Sequence, residues 1–106
     1  MKGSTSIIIL GLLKCNAMYG YEMIKKIELK SKGMFAFKEG TLYPLLHGLE
    51  SDGYIDSYWE QSHEGRKRKY YRITKIGSKH LDEKKVEWEI YKAAVDDCLV
   101  EDALWV

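Results

Sequence analysis

Between Gly40 and Arg72 a leucine-striped helical segment gives way, across Gly53, to two short runs of aromatic and β-branched residues. At 100° per residue, Leu42, Leu45, Leu46 and Leu49 fall on one side of a helix from about Thr41 to Asp52. Tyr43, Pro44, His47 and Ser51 fall on the other. Thr41 reads as the N-cap, which places Pro44 in the first turn, where a missing amide hydrogen has no intrahelical partner to lose. Gly53 reads as the stop. Strands are expected over Tyr54–Glu60 and Arg68–Ile73, joined by the polar segment Gln61–Lys67 around Gly65.

Two helices precede this unit. Ser4 to Cys15, capped by Ser4 or Thr5, is apolar nearly all round, the pattern of a buried helix. Asn16 to Gly20 breaks it. A second helix over about Gly20–Ser31 turns Met23, Ile24 and Ile27 inward and leaves Lys25, Lys26 and Lys30 outside. Lys32-Gly33 ends it, with Gly33 as a left-handed stop. Three helices and a cation-tipped hairpin describe a mostly α, α+β winged helix-turn-helix over residues 1–74. Such a unit can grip duplex DNA twice, through a helix and through a wing.

From Thr74, read as a cap, a last helix is expected through residues 75–106, interrupted near Gly77. Leu81, Trp88, Val95 and Leu99 line one side, with Tyr91 and Cys98 flanking; Val86, Ile90, Ala93 and Ala94 fall opposite. Two apolar sides are more than one small domain covers, so a partner chain is the economical explanation.

The net charge of +1 hides an asymmetry. Residues 1–81 hold 14 Lys/Arg against 8 Asp/Glu, and residues 82–106 hold 3 against 8. A basic working end and an acidic tail with another duty follow. Cys15 and Cys98 are far apart and no signal peptide is evident, so the expectation is a cytoplasmic chain with reduced thiols, more often buried than redox-sensing. The apolar run Ile7–Leu13 is too short to span a bilayer. His47, His63 and His80 show no metal or triad spacing, and no phosphate-binding glycine loop occurs. The reading is a non-enzymatic chain without metal or cofactor.

Thr41, Tyr43 and His47 can donate to phosphates or base edges from the helix face opposite the leucines, and Lys38 lies just upstream. Arg66 and Lys67, nearest the hairpin tip, are the best wing contacts, followed by Arg68 and Lys69. Strand alternation puts Lys69 and Tyr71 on one face and Arg68, Tyr70 and Arg72 on the other. Tyr54, Tyr58, Tyr70 and Tyr71 read as sheet packing. Tyr19 and Tyr43, at helix starts, either pack or reach a phosphate.

These segments together resemble the PadR family of bacterial transcriptional regulators. The matching residues are Ile9–Leu13, Met18-Tyr19-Gly20-Tyr21-Glu22, Gly40–Leu46, Leu49-Glu50, Gly53-Tyr54-Ile55, Gly65-Arg66, Arg68–Thr74 and Gly77. Asn16-Ala17 stands where Gly-Pro is usual, and Tyr19 where histidine is common. The resemblance implies a homodimer joined by its C-terminal helices that sets a winged helix in each major groove of a pseudo-palindromic operator, usually as a repressor. The short C-terminal region is similar to the compact branch that includes a lactococcal multidrug-resistance regulator. There an interfacial tryptophan stacks on flat aromatic drugs, and Trp88 occupies the matching place. Ile8, Leu12, Trp88, Tyr91, Val95 and Leu99 are therefore expected at a dimer interface or a pocket for planar aromatic molecules. Alternative readings are a ligand-responsive sensor built on that pocket, or a protein-interaction module that has lost DNA affinity.

Overall fold

The computed structural model describes residues 2–101, with side chains from Thr5 onward. The chain runs α1 (Lys2–Cys15), β1 (Met18–Tyr19), α2 (Gly20–Lys30), α3 (Glu39–Ser51), β2 (Ile55–Gln61), β3 (Lys67–Ile73) and α4 (Lys75–Leu99). This is the expected winged-helix architecture. The three strands form one antiparallel sheet in the order β1-β3-β2.

The core lies where α1, α2, α3 and the inner face of the sheet converge. Ile9, Leu10, Met23, Leu42, Leu46, Ile55, Tyr71 and Leu81 are its fully buried members. Burying a leucine such as Leu42 or Leu46 contributes about 2 kcal/mol, so the stripe on α3 is what clamps that helix down. Leu49 completes the stripe, and Leu45 is only half-buried.

Several boundaries differ from expectation for physical reasons. α1 starts at Lys2, before either expected cap, and the Ser4 side chain lies outside the described residues. α3 starts at Glu39 rather than after Thr41: Lys38 is extended (φ −103°, ψ 162°), and its carbonyl accepts the amides of Thr41 and Leu42 at 3.0 and 2.9 Å. Pro44 therefore sits inside the helix, beyond its first turn, and the bond that would run to the Gly40 carbonyl is missing. Burial of Leu42 and Leu46 on either side of it outweighs that loss.

Helix α2 ends at Lys30, one residue before the expected Ser31, and Gly33 is left-handed as expected. Lys32 takes the left-handed conformation (φ 53°) and Gly33 follows at φ 81°. The amide of Lys32 donates to Leu29 and that of Gly33 to Glu28, so the last carbonyls are satisfied. Gly53 behaves as expected: at φ 82° it closes α3, its amide donating to Glu50 and the Tyr54 amide to Leu49.

β1 was not foreseen, because two residues carry no readable alternation. It exists through pairing alone, Met18 opposite Tyr71 and Tyr19 opposite Tyr70. In the hairpin, Gln61 and Lys67 pair as strand residues, leaving Ser62 to Arg66 as the connection. Gly65 at φ 80° donates to the Ser62 carbonyl, and the Ser62 amide closes the loop on Arg66 at 2.7 Å.

α4 is unbroken at Gly77, contrary to the expected interruption. A Cβ at that position would lie 1.9 Å from the Tyr54 carbonyl oxygen, so glycine is there for close approach rather than to break the helix. Thr74 caps α4 as expected, accepting the Gly77 amide at 3.0 Å, and its hydroxyl donates to the Gly53 carbonyl at 2.6 Å. The end of α3 and the start of α4 are thus fastened at one point. Lys14 of α1 also donates to the Ser78 hydroxyl. Beyond Leu81 the helix leaves the core and projects, stretching the molecule to 68 × 29 × 22 Å. No helix among the described residues is long and apolar enough to cross a membrane.

Candidate nucleic-acid interface

The wing stands beside α3, and between them lies an open cleft of about 420 Å³. Its geometry follows from strand parity. Tyr71 points into the core, so Lys69 and Lys67, two and four residues back along β3, share that face where the strand runs out past the core. Trp59 pairs with Lys69 across the ladder and joins the same side. α3 supplies Tyr43 and His47 to the cleft, and the start of α2 supplies Tyr19, Gly20 and Tyr21. Of the expected contact residues, Tyr19, Tyr43, His47, Lys67, Arg68 and Lys69 thus line one cleft. Lys38 and Thr41 are exposed at the start of α3, outside the cleft, and Arg66 is exposed at the hairpin end.

The wing cations are not equivalent. The side chains of Arg66 and Lys67 are exposed and have no ion-pair or hydrogen-bond partner among the described residues. Arg68 lies over the Tyr19 ring, 4.5 Å from its centre, and 3.9 Å from the Glu64 carboxylate. Lys69 reaches the Glu50 carboxylate at 4.0 Å and lies over the Tyr71 ring at 5.4 Å. Arg72 pairs with Asp56 at 2.6 Å and covers the Tyr58 ring at 4.9 Å. Exposed ion pairs such as these add little stability, but they decide where each charge rests. Glu50, near the end of α3, also accepts the Ser57 hydroxyl at 2.6 Å, so one carboxylate ties the helix to both strands of the wing.

The tyrosines divide in the same way. The Tyr43 hydroxyl is pressed against Gly20, where an added Cβ would lie 2.4 Å away; it packs α3 against the start of α2. Burial raises its pKa above the usual phenol value, and the charges of Glu39 and Tyr71 add to that, so it is a neutral donor at physiological pH. Burial, then Glu50, does the same for Tyr71. On the outer sheet face Tyr70 meets the Tyr19 ring edge-on at 5.5 Å and stacks on Tyr58 at 5.7 Å. Tyr54, expected in the sheet packing, instead stacks on His80 of α4 at 4.0 Å.

Sequence reasoning missed Glu50 as a strut and Trp59 as a cleft residue. Parity with Ser57 and Tyr71 would have revealed Trp59, had the register been known.

The remaining expected positions are spread along α1 and α4. Trp88 and Tyr91 stack on each other at 6.1 Å and are exposed, as are Val95 and Leu99. Ile8 is half-buried and Leu12 buried, and both line a groove between α1 and α2 with Ile7, Gly11, Ile27 and Phe35. Both cysteines are exposed, which corrects the expectation of buried thiols: each lies at a helix end the core does not reach. Among the described residues no cluster of His, Cys, Asp and Glu could hold a metal ion.

The family described as transcriptional regulator PadR-like matches residues 9–83. A transcriptional regulator from Clostridium thermocellum is similar in structure, with a TM-score of 0.85 at 38% identity over 93% of this chain and 96% of its own. A PadR-like transcriptional regulator from Bacillus cereus gives a TM-score of 0.83 at 32% identity, over 95% and 96%. In sequence, an uncharacterized Lysinibacillus sphaericus protein is 38% identical over 96 residues, 91% of this chain and 88% of that protein. The Escherichia coli transcriptional regulator YqjI is 29% identical over 102 residues, and this chain spans 47% of its length. With the family match extending over most of the chain, and the winged helix it requires in place, this protein belongs to the PadR-like family of transcriptional regulators.

Proposed function

We propose that this protein is a homodimeric repressor that occupies a pseudo-palindromic operator, with α3 in the major groove and the wing on the adjoining backbone. The observation that carries the reading is the cleft between α3 and β3, where His47 and Tyr43 stand opposite Lys67 and Lys69. Arg66 and Lys67, whose charges nothing among the described residues neutralises, are the phosphate contacts; Thr41 and His47 face base edges, and Lys38 anchors the start of α3. Dimerisation is supported by α4, which projects with Val86, Ile90, Tyr91 and Val95 uncovered. A two-fold dimer presents its recognition helices to half-sites about one helical turn, ~34 Å, apart.

A gel shift on the DNA upstream of the protein's own coding sequence tests the reading. Alanine at both Arg66 and Lys67 should weaken binding to all duplexes and reduce the salt slope by about 4 per dimer, since each protomer loses two phosphate contacts and each lost contact removes close to one released counterion. An unchanged slope would remove the wing from the interface. His47→Ala should instead alter sequence preference.

A second reading, a sensor of planar aromatic molecules, is favoured by the exposed Trp88–Tyr91 stack. Titration with planar dyes should quench tryptophan fluorescence saturably, and Trp88→Phe should abolish the effect. Unsaturable quenching would exclude a pocket there.

A further inference from the structure

Trp59 is an anomaly in an otherwise well-sorted sheet. It is 65% exposed, although tryptophan is the side chain with the most apolar surface to hide. No core residue needs it, and it makes no ring contact among the described residues. It sits on the wing, remote in sequence from the uncovered face of α4, so the same explanation does not serve both. Its position is specific: it pairs with Lys69 across the ladder and lines the cleft with His47 and Lys67. The walls around it are cationic or hydrogen-bond donors, so the occupant that suits the cleft is a polyanion with apolar surface between its charges.

We infer that Trp59 is a contact to the DNA backbone, its ring closing on a deoxyribose of the strand that passes between the recognition helix and the wing. This rests on the DNA-binding reading and adds to it a residue that works without charge. A sugar–phosphate strand alternates anionic phosphates with apolar sugar faces. The cleft alternates in kind: Lys67 for a phosphate, the indole face for the sugar beside it, and the indole N–H as one more donor. Lys69 is held on Glu50, 4.0 Å away, so the Trp59 ring rather than Lys69 is the group most free to meet the strand.

The test uses the whole chain with 5-fluorotryptophan at all three tryptophans, Trp59, Trp88 and Trp105. The ¹⁹F resonance absent from Trp59→Phe is that of Trp59. Adding operator duplex should shift this resonance and shield it from line broadening by a dissolved paramagnetic probe, to which the exposed ring is open in the free protein. Trp59→Ala should weaken operator binding about tenfold, the loss expected for an aromatic anchor at an interface, and leave the salt slope unchanged. Trp59→Phe should recover most of the affinity. If the Trp59 resonance stays put and accessible while duplex binds with a salt slope that depends on Arg66 and Lys67, this inference fails and the DNA-binding reading stands. If the parent protein binds no duplex, both fail.

Discussion

Tyr19 shows how a side chain that could touch DNA can be committed elsewhere. Its ring carries the Arg68 guanidinium at 4.5 Å on one side and meets Tyr70 edge-on at 5.5 Å. Arg68 is held by the ring and by Glu64, and in the proposed interface Tyr19 would act through it as a positioning residue. Tyr19→Phe keeps the ring and should leave operator affinity within about twofold, whereas Tyr19→Ala should cost about threefold, the scale of one exposed cation–π contact. Competition binding of both variants decides: equal losses would mean that the hydroxyl itself meets a phosphate. The residue types at this site were legible in the chain, but their division of labour was not. Arg66, Lys67, Arg68 and Lys69 are four consecutive cations, and only the placement of Glu50, Glu64 and Tyr19 separates free from tethered.

Among the elements, the junction of α3, β2 and α4 governs how the DNA-facing unit is joined to the projecting helix. Gly53, Tyr54, Thr74 and Gly77 meet there through the Thr74 hydroxyl and the close approach of α4 to the Tyr54 carbonyl. Gly77→Ala should therefore destabilise the fold by about 3 kcal/mol, because backbone must move to admit the methyl group. Denaturant unfolding measures this, and a loss below about 1 kcal/mol, the cost of overpacking at its mildest, would show that the helix can shift away. The leucine stripe of α3 and the cap at Thr74 could be read directly, since periodicity and a side-chain acceptor are local signals. The start at Lys38 could not, because its cap is made by backbone alone. Gly77 misled for a related reason: local propensity treats glycine as a breaker, while its use here lies in another element.

For the whole molecule, α4 leaves the core after Leu81 and carries Val86, Trp88, Ile90, Tyr91 and Val95 into solvent. A monomer would leave this surface open. If a second copy covers it, Tyr91→Glu with Val95→Glu should yield monomers by sedimentation equilibrium. Operator affinity should then fall by at least about a hundredfold, since two linked half-site contacts become one. A dimer that persists would place the interface elsewhere. The charge distribution follows the same division, with the basic excess in residues 1–81 and the acidic excess beyond.

The chain by itself determined the order of the four helices and the hairpin, the leucine stripe of α3, the glycine stop at Gly53 and the cationic wing, because each depends on neighbours within a few positions. Tertiary structure alone decided β1, which exists only by pairing with β3, and the facing of Trp59, which depends on strand register. It also decided which wing charges remain available. Those outcomes arise between segments far apart in sequence, where no local periodicity records them.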